Sequence, residues 1–132
     1  MKHLLLKKLI KKILINHNLI NEHAETCANA LINAELVGAP SHGLSRLRMY
    51  CERISKKVIN PKPKIKIKKI SQSISHIDAD NSIGFVAADT AIKVGIKNAK
   101  KTGIGLVAVK NSGHYGLSGY YAEQAVKKGL MV

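Results

Sequence analysis

Two short stretches of this chain combine residue types that could act on a small organic acid. Each places a histidine among small, flexible residues: Ser41–Arg46 reads Ser-His-Gly-Leu-Ser-Arg, and Asn111–Gly116 reads Asn-Ser-Gly-His-Tyr-Gly. An imidazole can accept or donate a proton near neutral pH. The guanidinium of Arg46, four residues after His42, suits recognition of a carboxylate. The spacing therefore predicts a compact site for a small hydroxy acid, with His114 as a second candidate for proton transfer.

The distribution of arginine supports a specific role for the first stretch. All three arginines, Arg46, Arg48 and Arg53, fall within eight residues, whereas lysine supplies the other nineteen of the 22 basic residues. Arginine offers planar, bidentate hydrogen bonding that lysine cannot provide. Two structural alternatives stay open: Arg46 could form a surface ion pair while His42 caps a turn, and His114 could simply be solvated in a glycine-rich turn.

A helix is predicted to carry the first stretch, from Ser41 to about Lys57. At 100° per residue, an apolar face opposes a face that carries His42, Arg46 and Arg53. Near the amino end of that helix, the positive end of the helix dipole would favour the neutral form of His42.

The remaining pattern predicts an α/β fold that begins with a helical segment. Residues 1–60 form the helical segment, and residues 61–132 begin an α/β domain with a mixed sheet and covering helices, incomplete at its carboxyl end. The predicted elements are amphipathic helices over 4–16 and from Asn21 to Gly38, strands over 64–68 and 73–78, a turn at 80–82, a helix ending at Gly103, a strand over 104–109 covered on both faces, a helix over 118–128, and a new strand opening at 130–132.

Composition limits the classes of protein that this chain could represent. The net charge of +14 favours contact with polyanions, yet the lysines are scattered, and one phenylalanine and no tryptophan leave little to stack on bases. Cys27 and Cys51 lack metal-ligand spacing and are expected to be buried, reduced thiols. No stretch reaches the length of a membrane span, so the protein is expected to be soluble and cytoplasmic. The spacing of the histidines predicts no metal site, and no dinucleotide-binding glycine fingerprint occurs.

The order of motifs along the chain resembles the malate/L-lactate dehydrogenase family of NAD(P)-dependent oxidoreductases, which differ in fold from the Rossmann lactate and malate dehydrogenases. The resemblance rests on Glu35–Tyr50 with Ile59–Pro61 beyond it, Asp80–Gly84, Gly103–Val109 and Asn111–Gly116 followed by Tyr120 and Tyr121. It extends over nearly the whole chain. Members of that family are more than twice as long, and most of their cofactor-binding segment corresponds to positions beyond residue 132.

The resemblance implies a role for each candidate residue. It makes His114 or His42 the proton donor and acceptor at the substrate hydroxyl or carbonyl, with His114 slightly preferred. It implies that Arg46 binds the substrate carboxylate, with Tyr50 close by and Ser41 also at the substrate. It further implies NAD or NADP as cofactor, a small 2-hydroxy or 2-oxo acid as substrate and a homodimer as the assembly.

An alternative from another class is a basic, noncatalytic module that binds nucleic acid or an acidic partner. Salt-titrated binding to duplex DNA would discriminate the two, because tight and steeply salt-dependent binding without a response to NADH or 2-oxo acids favours the module.

Overall fold

The computed structural model describes residues 2–132, with side chains from residue 3 onward. Within that range, five α-helices and three β-strands form an α/β fold, which confirms the predicted class. Two short 3-10 turns, Pro40–His42 and Leu44–Arg46, lie between the second and third helices. The elements are α1 Lys2–Asn16, α2 Asn21–Leu36, α3 Leu47–Ser55, β1 Lys66–Lys69, β2 Ile74–Ser82, α4 Gly84–Thr102, β3 Leu106–Ser112 and α5 Ser118–Val126.

The amino-terminal helices pack on one apolar core. Ile10 and Leu14 of α1 recur at helical spacing and are buried, as is Leu31 on the facing side of α2. Tyr50 of α3 and Phe85 at the start of α4 belong to the same core. Because α4 enters this core, the sheet that α4 covers is fixed against the helical segment.

A mixed sheet forms the other layer, with strand order β1-β2-β3. β1 pairs with β2 in antiparallel fashion, whereas β2 and β3 are parallel and α4 makes the crossover between them. Gly103 ends α4 with φ +82°, as predicted for a glycine helix cap. This crossover delivers the loop after β3 to the carboxyl end of a parallel strand, where ligands collect in open α/β folds.

The helix predicted to start at Ser41 begins only at Leu47, so that prediction is wrong at its amino end. Pro40 starts a 3-10 turn, and the extended backbone of Gly43, with φ −101° and ψ −135°, interrupts the helical path. His42 therefore lies outside α3, and the helix-dipole argument for its neutral form does not apply.

The strand predictions also need correction. The turn expected at residues 80–82 is instead the end of β2, where a register irregularity accommodates positive φ at Asp80 and Asn81. The strand predicted over 64–68 is observed as β1, and all four of its residues are exposed. β3 is largely exposed, where its apolar sequence predicted cover on both faces. It also lies at the edge of the sheet, with β2 as its only strand partner in the described chain. Residues 130–132 do not form the expected strand.

Two expectations about the rest of the chain can be compared with the structure. Cys27 and Cys51 are buried free thiols, as predicted. Among the described helices, none combines the length and the apolarity that a membrane crossing would need.

Candidate functional site

Two histidines that lie far apart in the sequence come together in the fold. The ring centroids of His42 and His114 are 5.8 Å apart, with an angle of 26° between the ring planes. His42 ends the first 3-10 turn, and His114 lies in the loop between β3 and α5. Both side chains are partly exposed. The two imidazoles therefore form one site that a small molecule can reach.

Tyr50 holds His114 from the protein interior. Its hydroxyl lies 2.7 Å from Nδ1 of His114, and its side chain is 1% exposed. The backbone N–H of Gly116 donates to the same nitrogen at 3.3 Å. The ring of Phe85 meets the Tyr50 ring edge-on, with centroids 5.0 Å apart. The predicted contact between Tyr50 and substrate stays a prediction, whereas the contact between Tyr50 and His114 is part of the fold.

Ser41 and Arg46 complete the cluster on its exposed side. The hydroxyl of Ser41 lies 3.0 Å from Nδ1 of His42, and Nε of Arg46 donates to the Ser41 carbonyl oxygen at 2.8 Å. Contacts thus run from Arg46 through Ser41 and His42 to His114 and Tyr50. All five predicted site residues occupy one region, and their roles toward a substrate stay predictions.

The electrostatics of the cluster favour a neutral His114. Burial lowers the pKa of His114 first, and the positive charges of His42, Arg46 and Arg53 lower it further. Burial also raises the pKa of Tyr50 to about 12, so its hydroxyl stays protonated at neutral pH. The site therefore presents a neutral imidazole beside a guanidinium.

Glu35 is a supporting residue that the sequence did not reveal as part of the site. Its carboxylate accepts a hydrogen bond from the backbone N–H of Leu44 at 2.6 Å, which joins α2 to the turns that carry His42 and Arg46. A Cβ atom at Gly43 would overlap that carboxylate. The contact joins two elements, so no local spacing in the sequence could indicate it.

The start of α4 supports the His114 loop in a similar way. A Cβ atom at Gly84 would overlap the carbonyl oxygens of Gly113 and His114, so the helix packs directly on the backbone of the loop. Gly116, with φ +79°, leaves room for the ring of Phe85. Of the two glycines in the loop motif, Gly116 packs closely on α4, whereas an added Cβ atom at Gly113 would meet nothing within 4 Å.

The groove beside the His114 loop offers no cation to the pyrophosphate of a dinucleotide. A groove of about 580 Å³ lies between α4, β3 and α5, and its lining is largely apolar, with no charged side chain. A pyrophosphate requires cationic side chains or a cluster of free backbone N–H groups. Nor do the described residues place three histidine, cysteine or carboxylate side chains together as a metal site requires.

Comparison with known proteins finds similarity to one enzyme family over the whole chain. The family profile described as malate/L-lactate dehydrogenase matches residues 1–132. The malate dehydrogenase of Pyrococcus abyssi is 44% identical over 110 residues, which cover 83% of this chain and 30% of that protein. The ureidoglycolate dehydrogenase (NAD(+)) of Escherichia coli K12 is 35% identical over 96% of this chain and 36% of its own length.

A solved structure extends the likeness to three dimensions. The malate dehydrogenase of Pyrococcus horikoshii OT3 superposes with a TM-score of 0.91 and 39% identity, over 94% of this chain and 36% of that one. The chain thus spans about a third of the length of these relatives. With its whole length matched by one family profile, the chain belongs to the malate/L-lactate dehydrogenase family.

Proposed function

We propose that this chain supplies the acid-binding and proton-transferring residues of an oxidoreductase that interconverts a small 2-hydroxy acid and its 2-oxo acid. The observation that carries the proposal is the stacking of His42 on His114, at 5.8 Å, in a cluster that ends in the exposed Arg46. A cation beside two imidazoles suits a substrate that bears a carboxylate next to a hydroxyl or carbonyl group. The names of the relatives, malate dehydrogenase and ureidoglycolate dehydrogenase, support this substrate class.

In the proposed mechanism, each residue of the cluster has one task. Arg46 binds the carboxylate and orients the neighbouring carbon. His114 accepts the hydroxyl proton during oxidation and returns a proton to the carbonyl oxygen during reduction. His42 and Ser41 line the other side of the bound acid. A neutral His114 can accept a proton, which agrees with the lowered pKa of its imidazole.

The cofactor is proposed to be NAD or NADP. When bound, a nicotinamide accepts or supplies the hydride at the carbon that bears the oxygen. The name of the E. coli relative specifies NAD(+), which supports NAD for this chain. The apolar groove beside α4 does not hold a dinucleotide by itself, so no contact to the cofactor is assigned to the described residues.

Complete turnover is proposed to require the part of the family's length that this chain does not match. The chain corresponds to about a third of its relatives' length, and the groove beside α4 offers no charged side chain to a pyrophosphate. The homodimer implied by the resemblance and the cytoplasmic location expected from the composition are retained as proposals.

Binding of 2-oxo acids tests the proposed role of Arg46. We expect oxaloacetate or pyruvate to shift the NMR resonances of His42 and His114 in a saturable way. Arg46→Gln should weaken that binding by about tenfold or more, because a charge-assisted hydrogen bond to the carboxylate is lost. The matched control is Arg48→Gln: Arg48 is exposed, pairs with Glu52 and should leave binding unchanged.

Equal binding by the two variants, or no saturable shift in the wild type, contradicts the proposal. Turnover is measured in a chimera in which residues 1–132 replace the matched segment of the P. horikoshii malate dehydrogenase. A folded chimera that fails to oxidise NADH with any acid that binds would also count against the proposed function.

A further inference from the structure

The buried hydroxyl of Tyr50 is the feature that the proposed mechanism leaves unused. It lies 2.7 Å from Nδ1 of His114, and it has no other side-chain hydrogen-bond partner in the described chain. The side chain is 1% exposed and packs edge-on against Phe85, so the hydroxyl cannot turn toward solvent. A buried hydroxyl aimed at one ring nitrogen fixes the orientation of that ring.

We propose that Tyr50 is a positioning residue that directs Nε2 of His114 away from the core toward the bound acid and supplies the acceptor for the Nδ1 proton when the ring is charged. The proposal rests on the proposed function in one respect, because only a bound acid gives the direction of Nε2 a chemical role. The tautomer of His114 does not depend on a substrate. Nδ1 is held by Tyr50 and Gly116, so Nε2, on the far side of the ring, is the nitrogen left for a ligand.

The backbone N–H of Gly116 decides the tautomer of the neutral ring. A backbone N–H can only donate, and it points at Nδ1 from 3.3 Å, so Nδ1 offers its lone pair there. The hydroxyl of Tyr50 donates to the same lone pair. In the resting neutral ring the proton then lies on Nε2, where it can hydrogen-bond to the oxygen of a 2-oxo acid. Nε2 accepts the proton of a 2-hydroxy acid only in the other tautomer, in which Nδ1 donates its proton to the hydroxyl oxygen of Tyr50.

Tyr50 has a second task when His114 is charged. The imidazolium carries a proton on Nδ1, and that proton requires an acceptor, which a backbone N–H cannot be. The hydroxyl can rotate so that its oxygen accepts. The Tyr50 hydroxyl can therefore hydrogen-bond to Nδ1 whether or not that nitrogen carries a proton. The Gly116 N–H can do so only when Nδ1 is unprotonated.

This difference between Tyr50 and Gly116 predicts the direction in which the pKa of His114 moves when the Tyr50 hydroxyl is removed. Tyr50→Phe keeps the ring in the core but removes the acceptor that the imidazolium needs, while the Gly116 N–H continues to stabilise the neutral ring. We expect the pKa of His114, measured by NMR titration, to fall below its wild-type value. The other charged groups that act on the ring, His42, Arg46 and Arg53, are unchanged by the substitution.

Tyr121→Phe is the matched control. It removes another buried tyrosine hydroxyl, which donates to the carbonyl oxygen of Tyr115 at 2.8 Å rather than to His114. The titration of His114 should be the same in this variant as in the wild type. A purely structural role for Tyr50 would leave the pKa of His114 unchanged or, by loosening the burial of the ring, raise it, and either result with Tyr50→Phe would overturn the proposal.

A second measurement needs no variant. The nitrogen chemical shifts of His114 in neutral wild-type protein should show an unprotonated Nδ1 and a protonated Nε2. The reverse assignment would also overturn the proposal, even if Tyr50→Phe failed to fold. Neither readout requires an acid or a nicotinamide, so a failure of the proposed function leaves both results interpretable.

Discussion

At the scale of single residues, the site is a chain of contacts in which each side chain limits the freedom of the next. Arg46 is held by the Ser41 carbonyl, the Ser41 hydroxyl meets His42, and His42 stacks on His114. The cationic neighbours and partial burial of His114 make its charged form costly. The charge state of His114 is therefore a property of the cluster and can be tested by removing one member.

His42→Ala should move the pKa of His114 upward, toward its ordinary value of 6.5, because a ring that can become positive is removed from 5.8 Å away. NMR titration of His114 measures the change, and His76→Ala, on the exposed face of β2, is the control. A midpoint that stays in place or falls in His42→Ala would show that the Coulombic contribution of His42 is negligible.

The sign of the linked stability follows from the same shift. Because the pKa of His114 is lower in the folded chain than in the unfolded chain, the unfolded chain binds more protons on acidification. The stability that neutral His114 contributes is fully present at pH values above its pKa in the unfolded chain. It is lost as the pH falls through its pKa in the folded chain. Burial lowers the pKa of His23 as well, so this residue acts in the same direction.

At the scale of elements, the position of His114 depends on how α4 begins. Gly84 touches the loop backbone at Gly113 and His114, so α4 and the loop can approach only because Gly84 has no side chain. The same helix contains Gly95, where an added Cβ would make only an ordinary contact of 3.7 Å with Val107. The two glycines of α4 therefore have opposite expected responses to a methyl group.

Gly84→Ala should destabilise the chain by about 1–3 kcal/mol, because the overlap involves loop backbone rather than a flexible side-chain end. Gly95→Ala should be neutral or should stabilise by up to about 1 kcal/mol, since alanine favours a helix interior. Urea unfolding measures both free energies. If the two substitutions had equal effects, the close packing of α4 on the His114 loop would be refuted.

At the scale of the whole molecule, the strands of the sheet differ in how many hydrogen-bonded neighbours they have. β2 pairs on both sides, whereas β3 pairs only with β2 within residues 2–132. Leu106 donates its backbone N–H to the Ser73 carbonyl, so by the alternation of a strand the N–H groups of Val107 and Val109 point away from β2. Exposed edges of this kind are unpaired hydrogen-bonding surfaces.

Hydrogen exchange should reveal this edge directly. We expect the amides of Val107 and Val109 to exchange about tenfold or more faster than those of Ala108 and Ile77, which lie within the paired ladder. Ala108 is an internal control because it belongs to the same strand. Equal protection of Val107 and Ala108 in NMR-detected exchange would show that something covers the edge in solution.

The sequence by itself determined most of the helices, the class of fold and the family, and it predicted the residues that the fold brings together at the site. Two signals are local: the 3.6-residue spacing of apolar side chains in α1 and α4, and the glycine at 103. They can therefore be recognised without knowledge of the tertiary structure. The two histidine motifs and their order along the chain were sufficient to indicate the family. Those signals depend only on which residues follow one another.

Only the tertiary structure decided how the residues meet. The Tyr50–His114 contact spans 64 residues, and the support of Leu44 by Glu35 joins two different elements, so no local pattern encodes either one. Pro40 and the extended Gly43 replaced the predicted first turns of α3, although the apolar spacing there was helical. Burial of β3 was mispredicted for the same reason: an apolar strand sequence favours cover, but pairing and packing with other elements decide whether cover is present.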